Sequence, residues 1–138
     1  MRLLDIQDRL VYKNVRKFLI DWDGKSKSKL QFAAKQFFKK YWLHYVCYEE
    51  FPVYGTLLKV DILNASKKIA IEVQGNQHTH FNEHFHKNRM DFFFAMQRDF
   101  RKYKWLEKNG FVLIELFEDD LEKLSLKYII DKFGVVII

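Results

Sequence analysis

The sequence predicts an α/β domain in which a mixed β-sheet is flanked by α-helices. Three observations predict it. Apolar residues recur at helical spacing in two N-terminal stretches, and three β-like runs separated by turn residues follow. A step from helix to strand, "WLEKNGFVLIELF", then returns the chain to the sheet. The predicted order is helix, helix, three strands, polar loop, helix, strand, helix.

Leu3 to Ile20 places Leu3, Leu4, Leu10, Val11, Val15, Phe18 and Leu19 among charges, which reads as a first helix. "DWDGKSKSK" breaks that pattern. Ser28 then caps a second helix to about Tyr41, with Gln31 three residues on as its capping-box partner. Strands are expected over His44–Phe51, Thr56–Leu63 and Lys68–Gln74, parted by Gly55 and by Asn64–Ala65–Ser66, so that the last two form a hairpin. The stretch "NQHTHFNEHFHKNRMD" is polar and lacks clean periodicity, which suits a loop. A helix is expected from Phe92 to Lys108 with Gly110 as its stop, then a buried strand from Phe111 to Phe117. Asp119 or Asp120 caps a last helix to about Phe133, and "VVII" is an edge strand or an apolar tail on the core.

Length suits one domain over 1–138, with an N-terminal helical extension over 1–27, a core over 28–121 and a C-terminal helix and tail over 122–138. Lys and Arg number 24 against 18 Asp and Glu, giving a net charge of +6 and a pI near 9.3. That excess favours a polyanionic partner. The lone Cys47 has no intrachain disulfide partner, and neither a signal peptide nor a membrane span is visible, so a cytoplasmic setting is expected. Fourteen Phe belong mostly in a core, since exposing them would invite aggregation.

The chemistry concentrates in "KVDILNASKKIAIEVQGNQH". Asp61 lies inside an apolar strand, where a carboxylate without a purpose is costly to bury. Glu72 stands in the next strand of the hairpin, and alternation sends Glu72 and Gln74 to one face with Ile71 and Val73 on the other. Two carboxylates with neutral oxygen ligands suit Mg²⁺ or Mn²⁺, with Asp61 and Glu72 as the metal ligands.

The spacing Asp–x₁₀–Glu–x–Gln, from Asp61 through Glu72 to Gln74, resembles the motif of the PD-(D/E)XK nucleases, with Gln74 where Lys is commonest. The stretch is similar to the VDF…E-[LV]-D-G-x-Q-H block of very-short-patch-repair-like endonucleases and their uncharacterised relatives. A second block of that group, D-x-x-R-x-x-x-L-x-x-x-G followed by a strand and an acidic turn, resembles Asp99, Lys102, Leu106 and Gly110 with "FVLIELFEDDL". The likeness covers roughly Ser28 to Leu121. It implies a restriction-endonuclease-like fold with a nuclease core, and an enzyme that hydrolyses DNA phosphodiesters with Mg²⁺ or Mn²⁺, as a monomer that nicks or a homodimer that cuts both strands. It further implies Asp61 as central metal ligand, His78 as a catalytic imidazole and Asp99 as a further acid. The relatives' first-helix Glu has only Gln31 at the matching place, so that ligand is missing or supplied by Glu50.

Plainer readings run beside these. Asp99 and Lys102 suit an i,i+3 surface pair. His78, His80, His84 and His86 crowd one segment and would suit zinc, although no Cys accompanies them. Lys25, Lys27, Lys29 and Lys102 are candidate phosphate contacts, and the first three also suit a solvated face. A binding module that kept the fold but lost catalysis is the alternative to an enzyme.

Overall fold

The chain opens with a hairpin where a helix was expected: β1 (Arg2–Leu4) pairs antiparallel with β2 (Leu10–Tyr12), and a 3₁₀ turn follows at Arg16–Phe18. The computed structural model describes residues 1–75 and 89–138. Asp5 explains the departure from helix. Its buried carboxylate accepts the backbone N–H of Gln7 at 2.8 Å and of Arg9 at 2.9 Å, so the chain turns around a side chain instead of winding. The segment is part of the core rather than an extension. Leu3 and Val15 are buried, Trp105 Nε1 donates to the Leu4 carbonyl at 2.7 Å, and the Leu4 N–H donates to Asn109 Oδ1 at 2.9 Å.

The second predicted helix is α1 (Lys29–Trp42), which buries Ala34, Phe37, Phe38 and Trp42 on one stripe. Ser28 Oγ accepts the Gln31 N–H at 3.1 Å, the expected half of the capping box. The other half is absent, because the Gln31 side chain turns to Glu49 instead.

Strands β3 (Cys47–Pro52), β4 (Lys59–Asn64) and β5 (Ile69–Gln74) form the expected antiparallel meander. Helix α2 (Arg89–Lys108) starts three residues ahead of its expected beginning, and Gly110 at φ 82° stops it. β6 (Val112–Phe117) then returns parallel to β5, giving among the described residues a four-stranded mixed sheet ordered β3-β4-β5-β6. The fold class is therefore α/β, as predicted.

The predicted last helix is two. Asp120 Oδ2 accepts the Phe117 N–H at 2.8 Å and closes the single turn α3 (Glu118–Leu121), while Ser125 caps α4 (Leu126–Phe133) by accepting the Tyr128 N–H at 3.0 Å. "VVII" forms no strand; Ile137 is buried and its carbonyl accepts Trp42 Nε1 at 2.8 Å. This makes the C-terminus an apolar tail on the core.

Each face of the sheet carries its own core. Ile62, Ile71 and Ile114 pack with α1, α4 and the tail, whereas Leu63 and Ala70 pack with Trp105, Leu106 and the N-terminal hairpin. The alternation slips at one level. Tyr48 and Phe51, three residues apart, share a core, and so do Val60 and Leu63. The skipped rung lies between them, where Glu50 (φ 53°) faces Asp61 without a backbone pair between them. Such irregularities re-aim side chains at a sheet's functional rim. Among the described residues no helix is long and apolar enough to cross a membrane.

Candidate active site

The register sets the candidate acids side by side. Ile62 pairs with Ile71, so the next rung places Asp61 opposite Glu72, and Glu72 in turn pairs with Glu115 of β6. With Glu50 across from Asp61, four successive strands each present a carboxylate at one level of the sheet. Asp61 and Glu72 are the deeply buried members, at 2% and 4% exposure.

Each of these two carboxylates divides its oxygens between backbone and lysine. Glu72 Oε2 accepts the Asp61 N–H at 2.8 Å, and Asp61 Oδ2 accepts the Val73 N–H at 2.8 Å. On the other oxygens, Lys27 Nζ lies 2.7 Å from Asp61 Oδ1 and Lys102 Nζ lies 2.6 Å from Glu72 Oε1. Lys27 comes from the loop before α1 and Lys102 from α2, so docking both helices against the sheet end closes the site. Lys102 is thus paired with Glu72 and not with Asp99. A cavity of about 360 Å³ opens here, walled by Asp61, Glu72, Gln74 and Asp99 together with Lys27 and Lys102.

Burial pushes the Glu72 carboxyl up to about 7, and the Asp61 charge adds to this while Lys102 opposes it. Lys27 feels burial in the opposite sense, but the hydrogen bond and charge of Asp61, with Glu50 and Glu72 behind it, hold its ammonium above the ordinary lysine value. Glu115 is raised by burial and then by Asp99, against Lys102.

Gln74 shares the face of Glu72, as alternation required, and is 8% exposed. Asp99 also lines the adjoining groove of about 500 Å³ that contains Glu50, Lys27, Arg98 and Lys102. Gln31 does not line the acid cavity. Its Nε2 donates to Glu49 Oε2 at 2.9 Å and reaches Glu50 Oε1 at 3.4 Å. Lys25 and Lys29 flank a further hollow of about 520 Å³ at the start of α1, which shares Lys27 and Ser28 with the acid cavity. His78, and with it the zinc reading of His78, His80, His84 and His86, lies outside the described residues.

Two features escaped the sequence reading. Lys35 is fully buried within hydrogen-bond reach of Glu49 Oε1 (3.0 Å) and the carbonyls of Asp21 (2.9 Å) and Gly24 (2.8 Å), and Ser26 donates to Glu49 at 2.6 Å. This network fastens the Lys27 loop to β3. Glu115 was the more readable miss, because a carboxylate inside "FVLIELF" carries the same signal as Asp61 inside "LLKVDIL".

No family model and no solved structure matches the chain. Its sequence is similar to uncharacterized protein 033L of Invertebrate iridescent virus 3, with 35% identity over 65 residues, which is 47% of this chain and 34% of the viral protein. The aligned part of the chain therefore spans about a third of that relative's length.

Proposed function

We propose that this α/β domain is a restriction-endonuclease-like nuclease that hydrolyses DNA phosphodiesters with a divalent cation. The observation that carries the reading is the Asp61–Glu72 pair: two buried carboxylates on neighbouring strands, braced by each other's backbone and facing one cavity with Lys27 and Lys102. Burying both acids calls for positive charge, and a hard divalent cation meets the same need as the two lysines.

The donor set fits Mg²⁺ or Mn²⁺. Among the described residues no three His, Cys, Asp or Glu side chains gather to hold a metal, so a cation on Asp61 and Glu72 would need water and substrate oxygens for the rest of its shell. Asp61 and Glu72 would hold it, with the Gln74 amide oxygen as a neutral donor. When bound, the ion supplies charge neutralisation and a more acidic water.

The chain's own groups do the rest. Lys27 and Lys102, released from their carboxylates, bind the phosphate oxygens and stabilise charge that grows as water adds and the ester oxygen leaves. Gln74 orients the water; as an amide it takes no proton. Glu50 and Asp99 line the adjoining groove with the two lysines and Arg98, and the Glu50 charge acts on Lys27 across it. The net charge of +6 holds the polyanion, with Lys25 and Lys29 along the same approach.

A second reading has its own observation. Both acids are already satisfied by lysine, and Gln74 stands where the resembled nucleases mostly carry Lys, which suits a module that binds DNA without cutting it. Supercoiled plasmid with and without Mg²⁺ or Mn²⁺ separates the two. Metal-dependent nicking that disappears in Asp61→Asn and Glu72→Gln supports the enzyme; salt-sensitive binding with no nicking under either ion overturns it in favour of the binder.

A further inference from the structure

Beside the acid cavity lies a second one of about 400 Å³ between α2 and β6. Its walls are apolar and largely aromatic: Met96, Phe100, Tyr103 and Phe117. Its polar groups are Gln74, Asp99 and Glu115. Gln74 and Asp99 also line the acid cavity, so the two cavities lie side by side with a shared wall.

Two observations bear on what this cavity could take. Gln74 lines both cavities, and its side-chain amide makes no hydrogen bond among the described residues, which leaves it open to water or a ligand. On the same helix, Phe100 is 59% exposed, Met96 49% and Tyr103 43%, an apolar stripe at spacings of four and three residues. The charges interleaved with that stripe are mostly positive, namely Arg98, Arg101, Lys102 and Lys104. A second copy of the chain would bring like charge against like charge. A polyanion with flat apolar faces meets both the charge and the aromatics.

Resting on the reading of the acid cavity as a phosphodiester site, we propose that this second cavity receives an unstacked nucleobase beside the scissile phosphate and selects bases that carry an exocyclic amine. Glu72 and Gln74 are two residues apart on β5, about 7 Å along a strand, which lets one nucleotide place its phosphate at the first and its base at the second. Phe100 and Tyr103 offer the faces on which a base stacks. Asp99 and Glu115 accept from an amino group, as acidic side chains do from the cytosine amine, and the Gln74 Nε2 amide group, whose oxygen faces the metal position, supplies a donor for the neighbouring edge. Thymine, which has only carbonyl oxygens and an imino N–H on that edge, leaves one of the two carboxylates without a donor.

The test measures fluorescence anisotropy of the full chain in EDTA with labelled single-stranded homo-oligomers of dA, dC and dT. The dC and dA oligomers are expected to bind roughly tenfold or more tightly than dT. Phe100→Ala should weaken all three by roughly tenfold through lost stacking. Glu115→Gln should narrow the preference for dC over dT without weakening dT. Equal affinity for the three oligomers, or wild-type behaviour in both variants, overturns the proposal. So does a dimer in sedimentation that Phe100→Glu dissolves, since the groove then belongs to a second copy. Plasmid nicking separates this from the reading on which it rests: nicking without base preference removes the base pocket alone, and base preference without nicking removes the cleavage reading and leaves the pocket standing.

Discussion

Asp61 and Glu72 brace each other's strand: the Asp61 N–H donates to Glu72 Oε2 and the Asp61 carboxylate accepts the Val73 N–H, both at 2.8 Å. Side chains thus replace rungs of the ladder at the rim of the sheet. A substitution here tests structure and chemistry together, and pH separates them.

Glu72→Gln should abolish metal-dependent cleavage and yet stabilise the metal-free fold in alkaline buffer. Burial raises the Glu72 carboxyl from 4.5 to about 7, so the folded state binds the extra proton between those values and stability falls as pH rises through that window. Below it both states are protonated and the substitution is neutral. Above it the amide, which mimics the protonated form, should gain on the order of 2 kcal/mol in urea denaturation. An equal effect at acid and alkaline pH would assign the change to packing.

The two lysines should differ in stability terms although their ion pairs have similar lengths. The Lys102 side chain is 15% exposed and leaves Glu72 buried and unpaired when lost, so Lys102→Met should cost about 3 kcal/mol. Lys27 is 56% exposed, so Lys27→Met should cost less, about 1 kcal/mol. Both should lose cleavage by roughly 100-fold or more, as expected when an electrostatic partner of the transition state is removed.

How much of this was legible before the fold is clear from particular residues. The Asp61–Glu72 hairpin could be read because strand alternation and an Asn–Ala–Ser turn both act over a few residues. The N-terminal segment could not, since its apolar spacing satisfied a helix while the Asp5 carboxylate that turns it acts against propensity. Lys102 was singled out as a phosphate contact, but its pairing with Glu72 depends on how α2 docks, a relationship across 30 residues that no local pattern encodes. The division of the last helix was missed because Asp120 caps from inside a turn, the third helical position, rather than from the residue before it.

Lys35→Met should destabilise the fold by about 3 kcal/mol, since it strands Glu49 and the carbonyls of Asp21 and Gly24 without their shared donor. Because that network also holds the loop bearing Lys27, residual cleavage by the folded fraction should fall as well. Unchanged cleavage per folded molecule would separate the loop from the site.

Acid should loosen the C-terminal helices first. Burial pulls the Asp120 carboxyl upward, but Lys132, the Tyr128 hydroxyl and the Phe117 N–H together hold it below the usual 3.8. Its contribution is present above 3.8 and lost as pH falls through the lower folded value. Asp120→Asn should therefore cost on the order of 2 kcal/mol at neutral pH and progressively less in acid, as followed by urea denaturation across pH.

The sequence separations within the site set an order of assembly. Asp61 and Glu72 meet through a hairpin that spans 11 residues, whereas Lys27 reaches Asp61 across 34 and Lys102 reaches Glu72 across 30. Closing a longer loop costs more chain entropy, so near contacts form ahead of distant ones. The acids therefore approach each other on the folding route before their counter-charges arrive, and the climb to the transition state carries their repulsion. Refolding should slow as the buffer becomes alkaline, Glu72→Gln should fold faster than the parent chain, and Lys102→Met should mainly unfold faster, because its contact forms on the native side of the barrier.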